Sequence, residues 1–297
     1  MKTLQEKTAA GDFVITAEIV PAAAGGSRIL LEEAEPLSGL VDAINVTDGA
    51  GASTAMSSAA ACAILAANGF EPVLQLTCRD RNRLALCADL LGAGAQNVRN
   101  MLVLTGDDPA KGDQPEAKPV FDLSSGEVMS IARAMRDDAA LPNGKAVDEP
   151  PAFFIGCADV PIDPPGEWEP KGLLAKIDNG AQFVQTQFCF DPAVAGRYIE
   201  ALRGTGITDK LNVILGIGPI ASAKSARWMD QNLFGVSVPA AIIERIEAAG
   251  DSAAQKQEGI KICRELLEEY RSLNGVAGVH IMAPAASTKE IAAVLSQ

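Results

Sequence analysis

Short apolar runs alternate along this chain with longer segments in which apolar residues return every three or four positions. The first run, 13–20 (FVITAEIV), is β-branched, apolar and stopped by Pro21, which marks a strand. A helical pattern over 27–40 follows, interrupted near Pro36. The pattern predicts further strands over 41–47, 72–77, 98–105, 152–157, 182–188, 212–216 and 278–282. Helices are predicted over 54–68, 82–91, 126–136, 172–179 and 192–202. Three more helical stretches, 221–233, 239–249 and 253–273, separate the last two strands, and 289–295 closes the chain.

Strand–helix alternation predicts a parallel sheet, and eight such units in 297 residues predict a closed barrel. The expected fold is therefore α/β, a (β/α)8 TIM barrel with extra helices between strands seven and eight, residues 1–297 forming a single domain. An open doubly wound sheet is the alternative. Bound to a dinucleotide, it would carry GxGxxG after its first strand. The turn there reads PAAAGGS, and GAGAST after strand two lacks the spacing. The connection 108–125, rich in Pro, Gly and charge, exceeds the usual loop length and reads as a functional loop.

Composition enters mainly through what it excludes. Thirty-eight acids against 25 bases give a net charge of −13, which disfavours nucleic acid and anionic membranes as partners. No apolar run is long enough to span a bilayer, and the polar start lacks the core of a signal peptide. The six cysteines form no CxxC and there is one histidine, so no metal site is expected. Most of the cysteines sit in apolar runs as reduced thiols would, which points to the cytoplasm.

Polar residues on the strands indicate where chemistry belongs. Side chains alternate between strand faces, so Val14, Thr16 and Glu18 share one face and Phe13, Ile15, Ala17 and Ile19 the other. The wholly apolar face should pack on helices and the mixed face should point into the barrel. By the same test Asn45 with Thr47, Gln75 with Thr77, Thr105 with Asp107, Gln185 with Gln187, and His280 with Met282 face inward near the C-terminal strand ends. That mouth is where barrel enzymes place their sites. Glu18 suits a general acid, or an ion pair with a rim Arg or Lys. Asp107 reads as a site carboxylate or as a turn residue, since GDDP is good turn chemistry. His280, with no GxSxG in the chain, reads as a mouth hydrogen-bonder or a packed core histidine. Lys176, taken alone, reads as a solvated lysine.

The series AEIVP (17–21), NVTDGA (45–50), LTC (76–78), LTGDDP (104–109), NGAQFVQTQFCFD (179–191) and GVHIM (278–282) resembles the methylenetetrahydrofolate reductase family over essentially the whole chain. TQFxFD together with the strand-four GD is the specific part, and the chain resembles the short bacterial form, a catalytic barrel alone. The resemblance implies non-covalent FAD, NADH or NADPH or a protein as electron donor, a folate substrate and a homo-oligomer. It makes Glu18 the general acid, places Asp107 by flavin and pterin, gives Gln187 and His280 to the folate and Thr47 and Gln75 to the flavin. Thr105 and Gly106 adjoin the flavin, Lys176 meets an FAD phosphate, and Phe121, Asp122, Leu123 and Ser124 fall on the adenosine side. The chain departs from the family where HLTC has Gln75 for His and where Arg-Gly-Asp begins with Thr105. Ala223 stands at the place of a ring-stacking Phe and Ala286 near that of an Arg. These departures leave the donor and the physiological direction open. Two other functions stand beside this one: a folate-binding methyltransferase barrel, which would need no acid on strand one, and a non-catalytic subunit of a redox complex.

Overall fold

The computed structural model describes residues 2–283 and 287–296. Eight parallel strands close into a barrel: β1 (Val14–Ile19), β2 (Ala43–Val46), β3 (Pro72–Thr77), β4 (Asn100–Leu104), β5 (Phe154–Asp159), β6 (Phe183–Phe188), β7 (Asn212–Ile217) and β8 (Val276–Ile281). Neighbours in sequence are neighbours in the sheet, and β1 pairs with β8 to shut the ring. Helices follow the strands, with Ala223–Asn232, Ala240–Ala248 and Ser252–Ser272 inserted between β7 and β8. This is the (β/α)8 barrel with extra helices that the alternation predicts, with strand ends shifted by a residue or two.

Two apolar layers follow from strand alternation. The outward faces, among them Ala17, Ile19, Ile44, Val46, Leu74 and Leu76, merge with the helices into one large core. The inward faces form a second cluster at the N-terminal end of the barrel, with Val14, Ala43, Val73, Leu102, Phe154, Phe183 and Ile214. Phe154 and Phe183 stack there with ring centroids 4.8 Å apart. Gly156, paired with Phe183 on the neighbouring strand, has room for no side chain, since a Cβ would fall 2.2 Å from the Phe183 ring.

The sequence pattern missed the helix Leu4–Ala9, which plugs the bottom of the barrel. Leu4, fully buried, joins the inner cluster, and Glu71 accepts a hydrogen bond from its amide. The helix is held by a capping box between Thr3 and Glu6. With only Leu4 and Thr8 buried, it shows too few apolar positions for a period to register. Because the lower half of the barrel is filled with hydrocarbon, polar groups concentrate in the upper half, at the C-terminal strand ends. No described helix is long and apolar enough to cross a membrane.

Candidate functional site

Above the apolar layer the inward positions turn polar, and a continuous hydrogen-bonded chain crosses the barrel. Asn45 and Gln185 pair their amides, Asn45 donating at 2.6 Å and Gln185 at 3.1 Å. Gln185 also donates to the Thr16 hydroxyl at 2.9 Å, and that hydroxyl lies 2.9 Å from His280 Nδ1. The Thr16 hydroxyl also stands 3.5 Å from the Val279 carbonyl; in the tautomer where it donates to Nδ1, Nε2 carries the ring proton. Nε2 faces Glu18 Oε2 at 3.8 Å, and Gln75 donates to the same oxygen at 2.8 Å. Asn45, Gln185, Thr16 and His280 are all buried, and Glu18, half-buried, is where the network meets the mouth. Among the described residues its only ion-pair partner is His280, so the rim Arg or Lys is absent. His280, buried and hydrogen-bonded to Thr16, borders the mouth.

The loop after β2 is pinned by a buried carboxylate. Asp48 accepts from the Thr77 amide (2.9 Å) and hydroxyl (2.8 Å), the Ser58 hydroxyl (3.1 Å) and Arg81 (2.7 and 3.0 Å). Desolvation works to raise its pKa, but the hydrogen bonds and charge of Arg81, with Thr77, hold it below the ordinary carboxylate value. Arg79, also buried, donates to the carbonyls of Asp48 and Gly49 and pairs with Asp80. This brings a cation to the mouth from the turn after β3. Arg79 and Arg81 were missed in the sequence, although RDR directly after LTC is the signal for them.

Two adjoining cavities open here. One, of about 300 Å³, is bordered by Glu18, Thr47, Gln75, Thr105, Gly106 and Asp107. The other, of about 410 Å³, is bordered by Glu18, Gln75, Lys176, Gln187, Phe234 and His280, among others. Thr47 is 3% exposed and its Oγ1 has no hydrogen-bond partner. A buried hydroxyl without a partner costs free energy, so it marks a place for a ligand's polar atom. Asp107 accepts from the Gly51 amide at 2.9 Å and keeps its other oxygen toward solvent. Lys176 donates to the Ala158 carbonyl at 2.5 Å and stands 3.9 Å from Asp159, at the cavity wall and not in solution.

Strand alternation fails at two of the expected residues. The inner face of β4 carries Leu102 and Leu104, so Thr105 does not point inward from the strand. β4 ends at Leu104, Thr105 is exposed, and Gly106 at φ +95° turns the chain so that Asp107 reaches the mouth through the turn. Gln187 lies in a register shift between Gln185 and Phe188. It still reaches the larger cavity, with Oε1 accepting from the Phe188 amide at 2.9 Å and Nε2 donating to the Phe234 carbonyl at 3.4 Å.

The segment 121–124 is not brought to the mouth. Leu123 is in the core, Ser124 caps the helix Ser125–Asp137 in a capping box with Glu127, and Asp122 accepts from the Arg83 amide at 2.7 Å. Phe121, exposed and at φ +40°, precedes them. Asp122 borders a separate cavity of about 480 Å³ with Arg83, Leu84, Cys87 and Leu141. That cavity, larger than either at the mouth, is also bordered by Asn82, Pro142 and Asn143 and shares no residue with those two. Ala223 is buried as the first residue of its helix and lines neither mouth cavity. Ala286 lies outside the described residues.

The mouth thus combines a half-buried carboxylate backed by a histidine, a second carboxylate, an amide and a lysine around apolar walls. In its protonated form the Glu18 carboxyl can give a proton to a bound molecule, and the set can hold a flat, hydrogen-bonding ring. A family model described as methylenetetrahydrofolate reductase matches residues 3–297. A probable methylenetetrahydrofolate reductase (NADPH) of Caenorhabditis elegans is 28% identical over 235 residues, 76% of this chain and 32% of its own. Methylenetetrahydrofolate reductase 2 of Schizosaccharomyces pombe is 26% identical over 206 residues, 66% of this chain and 30% of its own. The chain spans about a third of the length of these curated relatives. Among solved structures, an uncharacterized protein from Clostridium thermocellum that binds two copies of 5-methyl-5,6,7,8-tetrahydrofolic acid superposes with a TM-score of 0.64 at 15% identity, covering 98% of this chain and 96% of that one. EDTA monooxygenase from Chelativorans sp. BNC1 superposes at 0.56 with 11% identity, covering 95% and 92%. At such identities the two structures bear on the fold alone.

Proposed function

Because the chain belongs to the methylenetetrahydrofolate reductase family, we propose that its barrel mouth interconverts 5,10-methylenetetrahydrofolate and 5-methyltetrahydrofolate, with non-covalent FAD and with NADH or NADPH as electron partner. The carrying observation is Glu18, a half-buried carboxylate that shares one oxygen between Gln75 and His280 at the edge of both mouth cavities. Support comes from the family match and from the reductase names of the relatives. The cysteines, none of them in a disulfide, support a reducing compartment such as the cytoplasm.

The smaller cavity fits a flavin ring on the chemistry of its wall. The ring's pyrimidine edge carries both acceptors and a donor, which suit the unpartnered Thr47 hydroxyl and the Asp107 carboxylate. Gly49 and Gly106 let Arg79 and Thr77 pack closely behind that wall, and Lys176 offers a charge to a phosphate. Thr47, Gln75, Thr105, Gly106, Asp107 and Lys176 would hold the cofactor, with 121–124 farther out. When bound, FAD supplies the two electrons of the reduction as a hydride.

The protein's own task is to make the folate carbon electrophilic. Opening the five-membered ring puts a pair of electrons on the departing nitrogen, which then needs a proton. Glu18 donates that proton and becomes a carboxylate. The negative charge left on Oε2 meets the Gln75 amide and the Nε2–H of His280, both already oriented by the buried network. Asp107 and Gln187 accept from and donate to the pterin edge and set the carbon in place.

Gln187→Ala is expected to weaken 5-methyltetrahydrofolate binding by about 1–3 kcal/mol, the cost of leaving a buried partner unpaired. Flavin content should stay at the parent level. Titration calorimetry on the two proteins tests both the residue and the reading. Equal affinity removes Gln187 from the site, and a parent that binds no folate contradicts the proposed function.

A further inference from the structure

We infer that Phe234 is a substrate-positioning residue, an aromatic cover that turns over the planar ring of the folate once it enters the larger cavity. The inference rests on the folate reading above. Phe234 lies between the helices Ala223–Asn232 and Ala240–Ala248, and its side chain is 86% exposed, more than any other large apolar side chain among the described residues. Its neighbours in the apolar run LFGV behave otherwise, with Leu233 packed against the core and Val236 only 7% exposed. A phenylalanine left in water while the residues around it are buried forgoes the burial of its ring unless something covers it.

The backbone of Phe234 is fixed at the rim. Its carbonyl accepts from Gln187 Nε2 at 3.4 Å. Gly235, at φ +73°, packs against Val160, where a Cβ would sit 2.5 Å from a methyl group. A β-substituted residue there would be strained and would push the turn off the end of β5. The main chain is therefore held over the cavity while the ring rotates freely on a short timescale.

The cavity itself lacks a stacking surface. It is bordered by polar side chains, Glu18, Lys176, Gln187 and His280 among them, and by the aliphatic Leu102, Leu104 and Met282. Among the described lining residues Phe234 carries the only aromatic ring besides His280, whose two nitrogens are engaged with Thr16 and Glu18. A pterin hydrogen-bonded to those polar side chains leaves one flat face toward the opening. The Phe234 ring can pack on that face, burying both and excluding water from the proton donor.

The test is the dissociation constant of 5-methyltetrahydrofolate for the full-length protein, its Phe234→Ala and Phe234→Tyr variants, with thermal midpoints alongside. Loss of ring burial and stacking in Phe234→Ala should weaken binding about tenfold or more, while Phe234→Tyr stays within about twofold of the parent. The midpoints should coincide, because the ring makes no core contact. Unchanged affinity in Phe234→Ala, or equal loss in Phe234→Tyr, overturns the assignment while leaving the folate reading in place. A parent without folate affinity overturns that reading and this inference together.

Discussion

Replacing Glu18 with glutamine is expected to slow the folate half-reaction by about 10²–10⁴-fold, the usual contribution of a positioned general acid. Glutamine keeps the size of the side chain and an oxygen for the Gln75 amide, which donates at 2.8 Å in the parent. It removes only the transferable proton. The donor half-reaction requires no proton from this position and should proceed near its parent rate. Stopped-flow measurement of each half-reaction separates the two. Equal slowing of both would make Glu18 a structural member of the mouth, and slowing of neither would place the acid elsewhere.

The second large effect is on stability. Asp48→Ala is expected to lower the unfolding free energy by about 3 kcal/mol, the low end for breaking a buried ion pair. The low end applies because Arg81 keeps Asp89 at 2.7 Å. The Thr77 amide and hydroxyl would still lose their acceptor, and the loop that carries Thr47 and Gly49 would lose its anchor. The pH dependence has a definite sign. A carboxylate held below its ordinary value contributes stability that is complete above the unfolded-state pKa, about 4, and is lost as pH falls through the lower folded value. The gap between parent and variant should therefore be constant from pH 7 to about 4 and close below that. Urea denaturation across this range measures it. A gap that instead grows on acidification would contradict the assignment of Asp48 as the charged partner.

Most of the barrel was legible because its strands obey a period of two and its helices a period near 3.6. Glu18 was located by parity alone, since Val14 and Thr16 precede it on the same face and Val14 belongs to the inner cluster. The same rule failed at Thr105 and was broken at Gln187, where a turn through Gly106 and a register shift reset the alternation. Parity holds only within a continuous ladder, and site residues gather where ladders end. Parity brought Asp107 and Gln187 to the mouth, and the resemblance to a known family supplied only their roles; it made Lys176 a phosphate-binding residue, and the structure places that lysine at the cavity wall. The Asp48–Arg81–Thr77 clamp and the link from Gln185 through Thr16 to His280 join residues far apart in sequence. No local pattern encodes such pairings. Phe234 was invisible for a different reason, since an apolar residue between helices reads as packing until its exposure is known.

On the proposed function, this mouth delivers a hydride and a proton to 5,10-methylenetetrahydrofolate. The most direct measurement mixes the purified protein, loaded with FAD and reduced by dithionite under anaerobic conditions, with one equivalent of that folate, followed by chromatography of the products. Its outcome does not depend on the natural electron donor. The account predicts stoichiometric 5-methyltetrahydrofolate with return of the flavin absorbance in the parent, and slowing by about 10²–10⁴-fold in Glu18→Gln. A protein that takes up FAD and binds the folate yet forms no 5-methyltetrahydrofolate would contradict it.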